Sequence, residues 1–261
     1  MRYCAVVLIL LLAACGRQSA GEMPRPDPRA PLGMGTAPDV VDSVYLAAES
    51  DFRSGRWRRA LDQFNRVTPL LVTEDPRFLR ARFYVGEIHY AMRDYLQATR
   101  EFRRIADEHP EHPLAPNALY RAGMAYRELW RKPQLDPSYG QSAMQIFAEV
   151  AGRFPNTDAA RRAQAEFLEL QDWTAQKELH TARYYFRWKA WNSAVMVLRD
   201  LVANYPRASV VPEALLLMVE SYRLLNYEED RQETCDYIRQ YYPATEDLDR
   251  QCPAPPAPGG A

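Results

Sequence analysis

The sequence holds 261 residues with 33 Lys or Arg against 34 Asp or Glu, a formal net charge of −1 and a mean hydropathy of −0.46. That balance excludes the basic footprint of a nucleic-acid binder. The length admits one or two ordinary domains or a single repeat array. Two of the four cysteines fall in the first fifteen residues, so Cys235 and Cys252 alone are left for a folded body.

The chain opens with Arg2 and then an apolar run from Ala5 to Ala14. A charged start before a short apolar stretch predicts an export signal, too short to cross a bilayer core of about 30 Å. The run ends Leu12-Ala-Ala-Cys15-Gly16, which resembles the lipobox of bacterial lipoproteins. The resemblance implies a signal peptide over residues 1–14, a diacylglyceryl group on the Cys15 sulfur, cleavage before Cys15 and acylation of the new amine. Two or three acyl chains hold a protein at a membrane far better than one. Gly16, where no Asp follows the cysteine, implies the outer membrane and its periplasmic face by the sorting rule of many didermal bacteria. Residues 15–38 carry Pro24, Pro26, Pro28, Pro31 and Pro38 and predict an unpacked tether.

From Asp39 the apolar spacing becomes helical, with Asp39 or Asp42 as the expected first cap. Five helical hairpins align by a small residue, an aromatic and a closing proline. The first runs about 41–71, with Gly55 and Trp57 at its turn and Ala60, Phe64 and Val67 facing inward. The second, about 77–110, has Gly86, His89, the turn Arg93-Asp94-Tyr95, then Ala98, Phe102 and Ile105. The third, about 115–155, has Gly123, Tyr126, Ala143, Phe147 and Val150. The fourth, about 169–206, has Ala182, Tyr185, Trp191, Ala194, Leu198 and Leu201. The fifth, about 211–243, has Tyr222, a turn near Tyr227, Cys235 and Ile238. A last short helix before Cys252 completes a body over 39–252, and the Pro/Ala/Gly tail from Pro253 predicts disorder.

The pattern resembles the tetratricopeptide repeat (TPR) and implies an all-α solenoid. A Gly or Ala on each first helix lets the second approach, an aromatic fills the space beside it, and proline turns the chain into the next unit. The spacing exceeds the ideal twice: Pro110 to Pro155 is 45 residues and Pro155 to Pro206 is 51. The first excess, Leu129 to Gly140, predicts a loop inside repeat three, whose Trp130 either packs on the array or contacts a partner. The second predicts extra helix over 158–179.

No catalytic constellation stands out. His89 takes a position often filled by an aromatic, and His109 and His112 lack a metal-ligand pattern. There is no HExxH, phosphate-binding glycine loop or GxSxG. The expectation is a non-enzyme with no cofactor and no metal. In an oxidising compartment Cys235 and Cys252 either form a disulfide that staples the C-terminal helix to the array or remain one buried and one exposed thiol.

Three stretches are more specific: His109-Pro-Glu-His-Pro-Leu-Ala-Pro116, Arg153-Phe-Pro155 and Lys177-Glu-Leu-His-Thr-Ala-Arg-Tyr-Tyr185, in that order. Over about 41–243, with the lipobox, they make the chain similar to the BamD (ComL) family of outer-membrane assembly lipoproteins. The resemblance implies five TPR units docked on the periplasmic domain of a BamA-like barrel insertase, alongside other assembly-machine lipoproteins. It also implies binding of unfolded outer-membrane β-barrel proteins, with no nucleic acid and with the membrane reached through the lipid anchor. The concave face of repeats one to three would receive substrate, with Tyr45, Phe52, Arg82, Tyr84, Arg121 and Arg127 as candidates. Repeats four and five would hold the insertase, through Arg183, Arg187, Lys189 and Tyr222, with Trp130 as a further partner contact. One departure stands out: the fourth turn reads Arg187-Trp188-Lys189-Ala190-Trp191, without the glycine usual in the family, and leaves Trp188 exposed. The alternative function is a periplasmic TPR lipoprotein coordinating cell-wall synthesis or envelope constriction; those usually carry a coiled coil before the repeats, and no heptad stretch is visible here.

Overall fold

A computed structural model describes Gly33 and residues 37–253. The signal segment, Cys15, nearly all of the tether and the tail beyond Pro253 lie outside the described residues. Five antiparallel helix pairs follow one another: α1 (Pro38–Arg53) with α2 (Trp57–Val67), α3 (Pro76–Ala91) with α4 (Tyr95–Glu108), and α5 (Ala115–Leu129) with α6 (Ser138–Arg153). Then come α7 (Asp158–Arg187) with α8 (Trp191–Asn204), α9 (Val211–Leu225) with α10 (Glu228–Tyr241), and a four-residue closing helix, α11 (Leu248–Gln251). No helix among the described residues is long and apolar enough to cross a membrane. The all-α stack of hairpins is the architecture the sequence predicts.

Close approach within a pair depends on the small residues. A Cβ on Gly86 would stand 2.6 Å from Phe102, and one on Gly123 would stand 2.5 Å from Phe147, both rings being fully buried. Each ring occupies the volume that a side chain on the facing helix would need, so the repeat signature encodes a packing contact.

Four of the five hairpin turns share one backbone geometry. Gly55, Arg93, Lys189 and Asn226 all take a left-handed conformation, with φ of 69°, 64°, 59° and 58°. At each, the next residue donates its N–H back to the helix, as Arg56 does to Asp51, Asp94 to His89, Ala190 to Tyr185 and Tyr227 to Tyr222. These are Schellman closures. The fourth turn therefore keeps its shape without glycine, and Lys189 bears a steric cost of about 1 kcal/mol that glycine would not.

The start of α1 differs from expectation. Ala37 occupies the cap without a side-chain bond, Pro38 takes the first turn, and Asp39 lies inside it. Asp42 accepts instead from Arg77 of α3. Proline removes one of the free N–H groups that a capping side chain would otherwise satisfy.

The second spacing excess is all helix. α7 runs unbroken for 30 residues from Asp158, about 45 Å. Its first half, through Leu170, packs into the core shared by repeats two and three; its second half, from Ala175, packs into the core of repeats four and five. At the middle, Lys177 donates to the Leu135 carbonyl in the repeat-three loop, while Asp172 accepts from the Ser209 N–H between α8 and α9. One level of α7 thus meets the hairpin turn of repeat three and the entry to repeat five. The last two repeats are offset along α7 by roughly 20 Å from the first three.

Candidate functional site

The first helices of successive repeats lie side by side and bond to one another. They run in parallel register, because starts pair with starts and ends with ends. Arg77 near the start of α3 reaches Asp42 near the start of α1, and Tyr90 near the end of α3 reaches Glu128 near the end of α5. Arg162 at the start of α7 reaches Asn117 at the start of α5.

Three of the six expected substrate residues, Tyr84, Arg121 and Arg127, are rungs of this ladder. Arg121 donates to both carboxylate oxygens of Glu87 at 2.6 Å and lies 4.0 Å from the centre of the Tyr90 ring. Arg127 pairs with Glu166 and Glu169 of α7. The Tyr84 hydroxyl donates to Glu49 at 3.4 Å. Arg82 is buried and donates to Glu108 at 2.7 Å. Tyr45 is buried against Phe64. Charge-assisted pairs of this kind are stronger than neutral ones. The candidate arginines therefore already hold carboxylates of neighbouring helices: Arg121 and Arg127 pin successive repeats to one another, and Arg82 ties the two helices of its own hairpin. Of the six, Phe52 and Tyr84 offer part-exposed ring surface, 4.6 Å apart between centres. The partners Glu49, Glu87, Glu166 and Glu169 were missed in the sequence. Their signal is a separation near one repeat length, 34 residues for Glu87–Arg121, but it emerges only once the repeat register is known.

The electrostatics follow from these contacts. Hydrogen bonds from Arg82, and then Arg104, hold the Glu108 carboxyl below the usual range. Burial pushes the Tyr90 hydroxyl up to about 12, with the Glu128 charge adding to it. Burial likewise raises Tyr45, and it raises Glu166 against the opposing charge of Arg127.

The partner candidates divide. Trp130 is 1% exposed: it lies against Gly140, where a Cβ would come within 2.0 Å of its ring, and makes an edge contact with Trp173. Its side chain offers nothing to a partner, so of its two readings the packing one describes the structure. The reason is that the loop folds back over α6 and α7 rather than standing away. Tyr222 is 2% exposed and accepts a hydrogen bond from Arg199 at 2.9 Å, so it too is a packing residue. Arg183, Arg187 and Lys189 are exposed at the end of α7. Arg183 pairs with Glu213. Between them stand Tyr184, 50% exposed, and Trp188, 71% exposed, with ring centres 6.1 Å apart. The fourth turn is thus a projecting cationic and aromatic tip, as the exposed Trp188 implied.

Cys235 and Cys252 form a disulfide, both sulfurs buried, which ties α11 to α10. Among the described residues no group of three or more His, Cys, Asp or Glu side chains is arranged to hold a metal.

A family model described as "YfiO: Outer membrane lipoprotein" matches residues 39–237. The chain is 28% identical over 205 residues to the outer membrane protein assembly factor BamD of Neisseria gonorrhoeae, covering 71% of this chain and 73% of that one. It is 23% identical over 215 residues to BamD of Vibrio cholerae, covering 74% and 86%. Among solved structures, the TPR2AB domain in the TPR2AB-domain:pHSP90 complex of yeast Sti1 is 12% identical over 82% of each chain, with a TM-score of 0.43. At that score the stacking described above rests on the helix contacts themselves.

Proposed function

The chain belongs to the YfiO family of outer membrane lipoproteins, and from that premise we propose that it scaffolds a BamA-like insertase and receives unfolded β-barrel segments on their way into the outer membrane. At the coarser level it is a non-enzymatic, lipid-anchored helical-repeat protein of the outer membrane assembly pathway, facing the periplasm. The single observation that carries the finer reading is the division of the array at α7, which gives two surfaces of different character on one rigid helix.

The N-terminal surface spans repeats one to three. Its ion-pair ladder fixes the first helices side by side, and Phe52 and Tyr84 supply apolar surface there. An unfolded barrel strand carries alternating apolar residues and a free backbone edge, which such a surface holds extended. Binding is modest because the client must leave. The C-terminal surface presents Arg183, Arg187 and Lys189 with Trp188 to the insertase's periplasmic domain; aromatic and arginine side chains are the usual anchors of such contacts. Other assembly lipoproteins complete the complex, and acyl chains on Cys15 hold it at the membrane.

The test is mild cross-linking in whole envelopes followed by purification of the lipidated chain. The reading expects the insertase and nascent barrel proteins in the captured fraction. Recovery of cell-wall synthases in their place would assign the chain to envelope constriction.

A further inference from the structure

A groove of about 870 Å³ lies at the C-terminal end of the array. Among its lining residues are the half-buried Leu216 and Leu217 of α9, with Phe186 from the end of α7. One wall is the segment 241–247, which begins with Tyr241 and Tyr242. Glu213, Glu220, Glu246 and Asp247 stand around it, and no Lys, Arg or His lines it. The wall is held in place covalently, since the Cys235–Cys252 disulfide closes a loop that contains all of it. Such a groove exists before anything enters.

Its chemistry limits what can enter. Leu216 and Leu217, flanked by Glu213 and Glu220 one turn to either side on α9, together with Phe186 of α7, ask for an apolar stripe. The carboxylates ask for cations beside that stripe. Three of them hold arginines of this chain, Glu213 with Arg183, Glu220 with Arg223 and Asp247 with Arg250, in pairs whose arginines are 48%, 51% and 72% exposed. Exposed pairs of that kind contribute little to stability and exchange readily. Glu246 is exposed and forms no ion pair with another described residue.

We propose that this groove docks a cationic amphipathic helix of a partner protein, its apolar stripe on Leu216 and Leu217 and its Lys or Arg side chains on the surrounding carboxylates. The proposal rests on the reading of repeats four and five as the partner-facing half and adds the chemistry of what binds there. It sets this groove apart from the cationic tip at Trp188, which suits a partner of opposite charge.

The probe is a labelled peptide of about 18 residues, five helical turns, with a leucine stripe flanked by lysine, titrated into the purified full chain. A sequence-matched peptide with glutamate for lysine serves as control. Saturable binding of one lysine peptide per chain is expected, with the glutamate peptide at least about tenfold weaker. The Glu213→Lys/Glu246→Lys double variant should also bind about tenfold more weakly while keeping its helical circular dichroism and melting temperature. Equal binding of the two peptides, or an unchanged double variant, overturns the proposal. So does binding that emerges only after residues 254–261 are removed, which would make the chain's own tail the occupant. Self-association abolished by the double variant, without peptide binding, would make the occupant a second copy. Loss of insertase capture with peptide binding intact would remove the insertase assignment alone and leave the groove standing.

Discussion

The Cys235–Cys252 disulfide offers the sharpest stability test. The two cysteines are separated by 17 residues, with Cα atoms 5.6 Å apart. Closing a loop of that length lowers the entropy of the unfolded segment by an amount worth about 3 kcal/mol. The segment has little else to hold it: α11 is four residues long, and besides Cys252 it buries only Leu248. Arg239 adds a hydrogen bond to the Cys252 carbonyl at 2.6 Å. Replacing both cysteines with serine should therefore release this segment while leaving repeats one to three intact. In a repeat array each unit contacts mainly its neighbours, so the loss should stay local. The readout is amide hydrogen exchange, fragment by fragment. Amides in 241–252 should exchange on the order of 100-fold faster in the double serine variant, the factor that about 3 kcal/mol implies. Those in α3 to α6 should not change. Unchanged exchange in 241–252 would refute the claim that the disulfide holds the wall of the C-terminal groove.

Three further outcomes follow from the packing. Lys189→Gly relieves a left-handed backbone and should stabilise the fourth hairpin by about 1 kcal/mol in urea unfolding; a loss of stability would mean that the side chain contributes more than the strain removes. Gly123→Ala drives a Cβ to 2.5 Å from the buried Phe147 ring and should destabilise by roughly 1–2 kcal/mol, an overpacking cost partly offset by better helix propensity. Gly152→Ala in α6, with nothing within 4 Å of the new atom, should have the opposite sign when the two variants are compared by urea unfolding. At alkaline pH, Tyr45 and Tyr90 favour the protonated folded state, since burial raises both hydroxyls, Tyr90 to about 12. Their contribution is complete below the ordinary tyrosine value and is lost as pH rises through the folded value. Denaturant midpoints should fall between about pH 10 and 12, and Tyr45→Phe/Tyr90→Phe should flatten that fall.

The hairpins were legible because their signature is local: Gly86 with Phe102, or Gly123 with Phe147, lies within one repeat and records a contact that any copy must make. The extra helix before repeat four was legible from the 51 residues between Pro155 and Pro206, but its consequence was not. Only the contacts of Asp172 and Lys177 reveal that the array steps along α7. The ion pairs of the candidate arginines were not legible because their carboxylates sit on other helices, 34 residues away for Arg121 and 26 for Arg82. Burial of Trp130 hangs on Gly140, ten residues on, and no spacing rule distinguishes a loop that folds back from one that projects. The left-handed turn at Lys189 was hidden for a different reason: the backbone geometry is set by helix closure, and a residue that tolerates it poorly can still be held there.

Controlled depletion of the chain in its native envelope, followed by quantification of outer-membrane proteins, bears most directly on its place in barrel assembly. Many unrelated β-barrels should fall together within a few generations, while lipoproteins that need no barrel insertion hold their level. Steady barrel levels alongside a defect confined to cell-wall constriction would contradict it.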